Sequence, residues 1–103
     1  MEKPEVNRVD RTAEHMTVCK ELNEIYRHKN QDYGDSFHES WKGYGLTMAA
    51  IRIGDKYNRL KTLVNSESEV QDETIMDTLM DLANYAIMTV MEMDTEREEH
   101  NRR

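Results

Sequence analysis

The strongest constraint on the fold is the apolar periodicity of residues 72–98. Apolar side chains recur there at helical spacing and cover nearly half of the circumference of a helix. Such a broad stripe predicts an amphipathic helix that packs against other helices. Its members are Ile75, Met76, Leu79, Met80, Leu82, Ala83, Ala86, Ile87, Val90 and Met91.

Two further helices are predicted, over residues 11–30 and 46–64. The first carries an apolar stripe at i, i+4 and i+7, formed by Val18, Leu22 and Ile25. The second is apolar on one face and mixed on the other, which suggests contacts on both sides. Strand-type runs of Val, Ile and Thr are absent from the sequence. We therefore expect an all-α fold, a small bundle of three main helices.

The chain is expected to form a single domain over residues 1–103, with residues 1–10 and 95–103 loosely ordered. Its hydrophobic fraction of 37% is low and its charged fraction of 34% is high. A chain of this size with few apolar residues gains stability by covering its helices with another subunit. We expect a homodimer or a higher homo-oligomer.

Residues 31–45 are predicted to form a long, aromatic-rich connection, with a short helix near residues 37–42. Tyr33, Phe37, Trp41 and Tyr44 lie within it, and long loops in compact domains are frequently functional. Two interpretations stay open: the aromatic rings stack on a base, or Phe37 and Trp41 plug the end of the bundle.

Charge and cysteine content limit the class of function. A net charge of −7 argues against a general nucleic-acid binder. A small phosphorylated ligand needs only a few local cations and remains allowed. The single Cys19 favours a reducing cytoplasm. No apolar run approaches the roughly 18 residues of a membrane span, so we expect a cytoplasmic protein without a membrane partner.

A stripe of acidic and amide side chains runs beside the apolar arc of the third helix, formed by Glu73, Asp77, Asp81 and Asn84. Its carboxylates repel one another unless Lys29, Arg52 and Arg59 or a divalent cation neutralises them. Oxygen ligands without nearby Cys or His select Mg²⁺ or Mn²⁺. The alternative, complementing the dipole at a helix N-terminus, explains Asp81 poorly. Asp77 and Asp81 are therefore the predicted metal ligands.

The segment at residues 29–37 concentrates polar and aromatic groups after the first helix. Lys29 and Asn30 can donate to phosphate or carbonyl oxygens, and Asp32 can hold a metal, cap a helix or accept from a base. The end of a helix followed by a turn would also explain these residues. On the second helix, Arg52, Asp55 and Arg59 recur at i, i+3 and i+7. An ordinary surface ion-pair ladder would explain that spacing equally well.

Three stretches in order carry a family resemblance: residues 29–35 (KNQDYGD), 52–60 (RIGDKYNRL) and 77–88 (DTLMDLANYAIM). They resemble the nucleotide modification associated domain 1 family, found widely in phages and prophages. The resemblance implies a role in phage nucleotide metabolism, in the cytoplasm of an infected or lysogenic bacterial host.

More distantly, the chain is similar to MazG-like all-α nucleotide pyrophosphohydrolases. Those enzymes hold Mg²⁺ on acidic residues of two helices and attack a phosphoanhydride with an activated water. The similarity implies catalytic roles for Asp77 and Asp81. The first acidic motif, a cluster of three glutamates, is missing, since the corresponding helix offers only Asp55 among Arg52, Lys56 and Arg59.

Three hypotheses follow. The first is a nucleotide-binding enzyme, a Mg²⁺-dependent hydrolase or a factor in nucleotide modification, in which Tyr33 and Trp41 stack the base. The second is a non-catalytic binder that sequesters a nucleotide, for example a signalling nucleotide of host defence. The third is a structural helical adaptor. For the first two, the predicted ligand-binding residues are Lys29, Asn30, Asp32, Tyr33, Trp41, Arg52, Asp55, Arg59 and Asn84.

Overall fold

The computed structural model describes residues 10–33, 35–65 and 71–102, and within these ranges it contains three α-helices and no β-strand. They are α1 (Arg11–Tyr33), α2 (Ser36–Val64) and α3 (Gln71–Asn101). This confirms the prediction of a small all-α bundle. The side chains of residues 31–33 and 71–73 fall outside the description, and so do the predictions made for Asp32, Tyr33 and Glu73.

The chain divides into two units, Met1–Gly34 with α1 and Asp35–Arg103 with α2 and α3. The start of α1 is fixed by Asp10, whose Oδ1 accepts from the backbone N–H of Thr12 at 2.9 Å and of Ala13 at 3.4 Å. A carboxylate in this position satisfies N–H groups that have no partner within the helix. The expectation of a single domain stays a prediction.

Helix α2 reverses its direction along α3 at Gly45. Before Gly45, His38 contacts Glu92 and Trp41 contacts Glu96, so this part of α2 runs toward the C-terminal end of α3. After Gly45, Arg52 lies over Tyr85 and Lys56 pairs with Asp81, so this part runs toward the N-terminal end of α3. Gly45 has φ 59° and ψ −144°, a left-handed conformation that glycine adopts without steric penalty. The helix is therefore two segments, residues 36–44 and 46–64.

The prediction of a long connection over residues 31–45 is wrong, because most of these residues are helical. Helix α1 continues to Tyr33 and α2 begins at Ser36, so the expected short helix near residues 37–42 extends through residue 44. Phe37 and Trp41, one helical turn apart, share the buried side of this segment. The aromatic residues were predicted to lie in a loop because Gly43 and Gly45 are close to them in the sequence, although Gly43 is helical.

The hydrophobic core lies where both segments of α2 meet α3. Its buried members are Phe37 and Trp41 from the first segment and Met48 and Ala49 from the second. Tyr85 and Met88 of α3 pack against this cluster. The rings of Phe37 and Tyr85 are stacked, with centroids 6.0 Å apart and planes 26° apart.

The buried side of α3 is largely polar. Thr78, Asn84 and Thr89 are all buried. The Thr78 and Thr89 hydroxyls donate to the carbonyls of Thr74 and Tyr85, one turn earlier, at 2.8 and 2.7 Å. Because each hydroxyl is satisfied within its own helix, it can be buried without a partner on α2.

Much of the apolar arc predicted on α3 is solvent-exposed, and it faces away from α2. The exposed large side chains of this arc and its continuation are Met76, Leu79, Ile87, Val90, Met91 and Met93. Near its end, α3 keeps helical backbone as far as Asn101. The expectation that residues 95–103 are loosely ordered stays a prediction.

Among the described residues, no helix combines the length and the apolar character needed to cross a bilayer.

Candidate functional site

A groove of about 290 Å³ lies between the second segment of α2 and α3. Its lining residues are Arg52, Asp55, Lys56, Arg59 and Tyr85. The four from α2 recur at i, i+3, i+4 and i+7, which places them on one side of the helix. The groove thus concentrates three cations in a chain whose net charge is −7.

Arg52 is held in place by two contacts. Its Nε donates to the Met48 sulfur at 3.1 Å, and its guanidinium carbon lies 6.0 Å from the centre of the Tyr85 ring. The second distance is at the outer limit of a cation–π contact. Tyr85 also stacks on Phe37 of the core. The core therefore holds the Tyr85 ring in place, and the ring in turn positions the guanidinium of Arg52.

Lys56 and Asp81 form an ion pair between α2 and α3. Lys56 Nζ lies 3.1 Å from Asp81 Oδ2, and the side chains are 27% and 23% exposed. A pair this far from water is screened less by salt than a surface pair, and breaking it leaves a partly desolvated charge behind. The predicted neutralisers of Asp81 were Lys29, Arg52 and Arg59 or a metal, and Lys56 was missed.

The structure brings together three predicted ligand-binding residues, Arg52, Asp55 and Arg59, on the wall of one groove. Asp81 joins them through its pair with Lys56. Asp77, one turn earlier on α3, is exposed, and Asn84 is buried. Their catalytic, metal-binding and ligand-binding roles stay predictions. In the described ranges, no group of three or more His, Cys, Asp or Glu side chains is placed to hold a metal ion.

Lys29 and Asn30 lie on α1, in the other unit, where Lys29 is exposed and Asn30 is partly buried. Their role in ligand binding stays a prediction. Asp32 and Tyr33, predicted beside them, have no described side chain.

Trp41 is a core residue. It is 6% exposed, and its indole Nε1–H donates to Glu96 Oε2 at 2.7 Å. This placement favours the interpretation in which Trp41 closes the end of the bundle. Stacking of a base on its ring would require the core to open.

Two lining residues escaped the sequence-based prediction, Lys56 and Tyr85. Lys56 lies one turn after Arg52, so the helical spacing that selected Arg52 and Arg59 would have included it. Tyr85 lies one turn after Asp81 on α3, inside the stretch 77–88. A helical projection of that stretch places the two residues on one face, and this was the available signal.

His38 and Glu92 form a further polar contact between α2 and α3, near the core rather than in the groove. His38 Nδ1 lies 2.8 and 2.9 Å from the two oxygens of Glu92. Hydrogen bonding to Glu92, together with the charge of that carboxylate, raises the pKa of His38 above its ordinary value of 6.5.

Comparison of the chain with curated proteins and with solved structures finds no significant match. Comparison with protein families does find one. Residues 29–93, more than half of the chain, match the family described as nucleotide modification associated domain 1. The match includes α2 and all five residues that line the groove. The chain therefore belongs to the nucleotide modification associated domain 1 family.

Proposed function

We propose that this protein binds a nucleotide, with the phosphate groups in the groove between α2 and α3, and that it acts in nucleotide metabolism or modification. The supporting observation is the convergence of Arg52, Lys56 and Arg59 on one groove. Guanidinium groups bind phosphate through two parallel hydrogen bonds, and lysine adds a mobile point charge. The family description agrees with a ligand of this class.

Three of the lining residues have distinct roles in this proposal. Arg52, already oriented by Met48 and Tyr85, holds one phosphate oxygen pair, and Arg59 at the exposed edge captures the incoming anion. The Tyr85 ring supplies an apolar surface for the ribose or the base. A groove of about 290 Å³ is at the small end of ligand pockets.

Binding without hydrolysis is the function that the geometry supports best. Asp81, the residue on which hydrolysis would depend, is engaged by Lys56. Sequestration of a nucleotide, including a signalling nucleotide, needs the cations of the groove and no metal.

Mg²⁺-dependent hydrolysis is the second candidate, favoured by the position of Asp81 beside the groove. Mg²⁺ in proteins commonly binds one or two carboxylates together with phosphate oxygens. Asp77 and Asp81 are the residues that would hold it, and it would neutralise charge on the phosphate. Lys56 would then have to leave Asp81 and contact the nucleotide.

The test is a binding assay with canonical, modified and cyclic nucleotides, with and without Mg²⁺, followed by chromatography of the recovered ligand. Binding with intact ligand supports sequestration. Mg²⁺-dependent formation of a product supports the hydrolase.

The matched variants are Arg59→Ala, in the groove, and Lys61→Ala on the same helix, whose Nζ lies 5.2 Å from the centre of the Tyr57 ring. Arg59→Ala removes a hydrogen bond from a charged group to the phosphate, worth about 1.5–3 kcal/mol, and should weaken binding roughly 10- to 100-fold. Lys61→Ala should bind the nucleotide like the parent. If no nucleotide binds, the structural adaptor becomes the better hypothesis.

A further inference from the structure

Six apolar residues of α3, five of them exposed, form a regular seam on the side opposite α2. The seam consists of Met76, Leu79, Ala83, Ala86, Val90 and Met93, which follow one another at spacings of 3, 4, 3, 4 and 3 residues. This is the a and d repeat with which one helix packs along another. Its four large members are exposed. Across the helix, Asp81, Tyr85 and Glu92 face α2.

The order of side-chain sizes along the seam is symmetric about a point midway between Ala83 and Ala86. Moving outward from that point, alanine matches alanine, Leu79 matches Val90, and Met76 matches Met93. If a second copy of α3 runs antiparallel with its centre at the same point, each large residue of one copy faces a large residue of the other. The alanines then meet at the centre, where small side chains let two helices approach closely.

We propose that this seam is a homodimer interface, in which two α3 helices pack antiparallel across a two-fold axis between Ala83 and Ala86. A two-fold interface uses the same patch on both copies, so the patch must be complementary to its own reverse. The size symmetry of the seam meets that requirement. A different partner protein would not require it.

The exposed area is sufficient for such an interface. The four large seam members expose roughly 400 Å² per copy, and Ile87 and Met91 beside the seam raise this to roughly 600 Å². Full burial of all six side chains in two copies would remove on the order of 1,200 Å² from solvent, the lower end of specific interfaces. An exposed apolar patch of roughly 600 Å² on one copy is also as large as the largest patches found on ordinary monomers. The residues that contribute are Met76, Leu79, Ile87, Val90, Met91 and Met93.

The first test is the mass of the protein in solution, measured by sedimentation or light scattering. The parent chain should have the mass of two copies. Val90→Glu should be monomeric, because the two-fold axis places both introduced charges in the apolar seam. Ile51→Glu is the matched control on α2, since Ile51 and Val90 are 59% and 56% exposed. It should remain dimeric. A monomeric parent, or equal dissociation of both variants, would overturn the proposal.

The second test uses the direction of the helices and does not depend on Val90→Glu folding. In a Cys19→Ser background, a chain carrying both Leu79→Cys and Val90→Cys should form a covalent dimer on mild oxidation, because residue 79 of one copy faces residue 90 of the other. Leu79→Cys alone should stay uncrosslinked. Crosslinking by the single variant, or none by the double variant, would contradict the antiparallel arrangement.

Discussion

Lys56 and Asp81 join α2 and α3 through a contact of 3.1 Å between Nζ and Oδ2, with about three-quarters of each side chain removed from solvent. Lys56 also lines the groove. The same lysine can therefore stabilise the helix pair or bind an anion, and Asp81 competes with any phosphate for it.

Replacing Asp81 with Asn separates the two candidate functions. If the protein only binds, Asp81→Asn should raise nucleotide affinity a few-fold, because the carboxylate that competes for Lys56 is gone. If the protein hydrolyses its ligand, Mg²⁺-dependent turnover should disappear while binding persists. Affinity by calorimetry and product by chromatography distinguish these outcomes. Asp94→Asn is the control, since Asp94 pairs with Arg97 on the exposed part of the same helix.

Replacing Tyr85 with Ala should lower both stability and binding. The ring stacks on Phe37, contacts the core and lies beside Arg52. We expect a loss of about 2–4 kcal/mol in the free energy of unfolding, as for other large-to-small changes at packed sites, measured by urea denaturation. Tyr85→Phe keeps the ring and should retain most of the stability. A Tyr85→Ala variant as stable as the parent would contradict the packing role.

Gly45 and Gly43 should respond in opposite directions to alanine. No atom lies within 4 Å of a Cβ built at either position, so backbone conformation decides the outcome. Gly45→Ala forces a side chain into a left-handed conformation and should destabilise by about 1–3 kcal/mol. Gly43→Ala, in helical backbone, should stabilise by roughly 0.5–1 kcal/mol. Thermal or urea unfolding of the two variants checks both signs, and equal shifts would refute the reversal at Gly45.

The His38–Glu92 contact predicts a pH dependence of stability. The pKa of His38 is raised by its hydrogen bond to Glu92 and the charge of that residue; burial opposes this increase, Asp35 adds to it and Lys42 also opposes it. A raised pKa in the folded state means that this stabilisation is complete below about 6.5, the value for an unfolded histidine, and is lost as the pH rises through the folded-state pKa.

The measurement is the Tm of the parent and of Glu92→Gln at about pH 6 and about pH 8.5, on either side of the histidine range. The difference between the two proteins should be larger at the lower pH. Glu39→Gln, which removes the exposed partner of Lys42, should show no such dependence. A difference that grows with pH would contradict the assigned cause.

The helices could be predicted because their signals are local. Asp10 caps α1 where the sequence places its start, and α2 ends at Val64 as expected. The first segment of α2 was predicted to be a connection because the nearby glycines are typical of loops. Its helical structure depends instead on the packing of Phe37 and Trp41 against another helix. Packing of this kind is tertiary information that no local window contains.

The candidate site was predicted in part for the same reason. Arg52, Asp55 and Arg59 share one helix, so spacing alone brought them together. The pairing of Lys56 with Asp81 depends on how α2 and α3 align, and that alignment depends on the reversal at Gly45. The apolar periodicity of α3 predicted the helix correctly but not its buried side, since much of the apolar arc is exposed and polar Thr78, Asn84 and Thr89 are buried instead.

The small core beneath the groove has a consequence for the amount of folded protein in a cell. Among the described residues of the α2–α3 unit, the buried apolar members are Phe37, Trp41, Met48 and Ala49, a modest source of folding free energy. If the exposed seam of α3 supplies the remainder by self-association, folding becomes concentration-dependent, because dimer formation removes folded chains from the unfolding equilibrium. The Tm should then rise with protein concentration, and low expression would lower the folded fraction as well as the total amount.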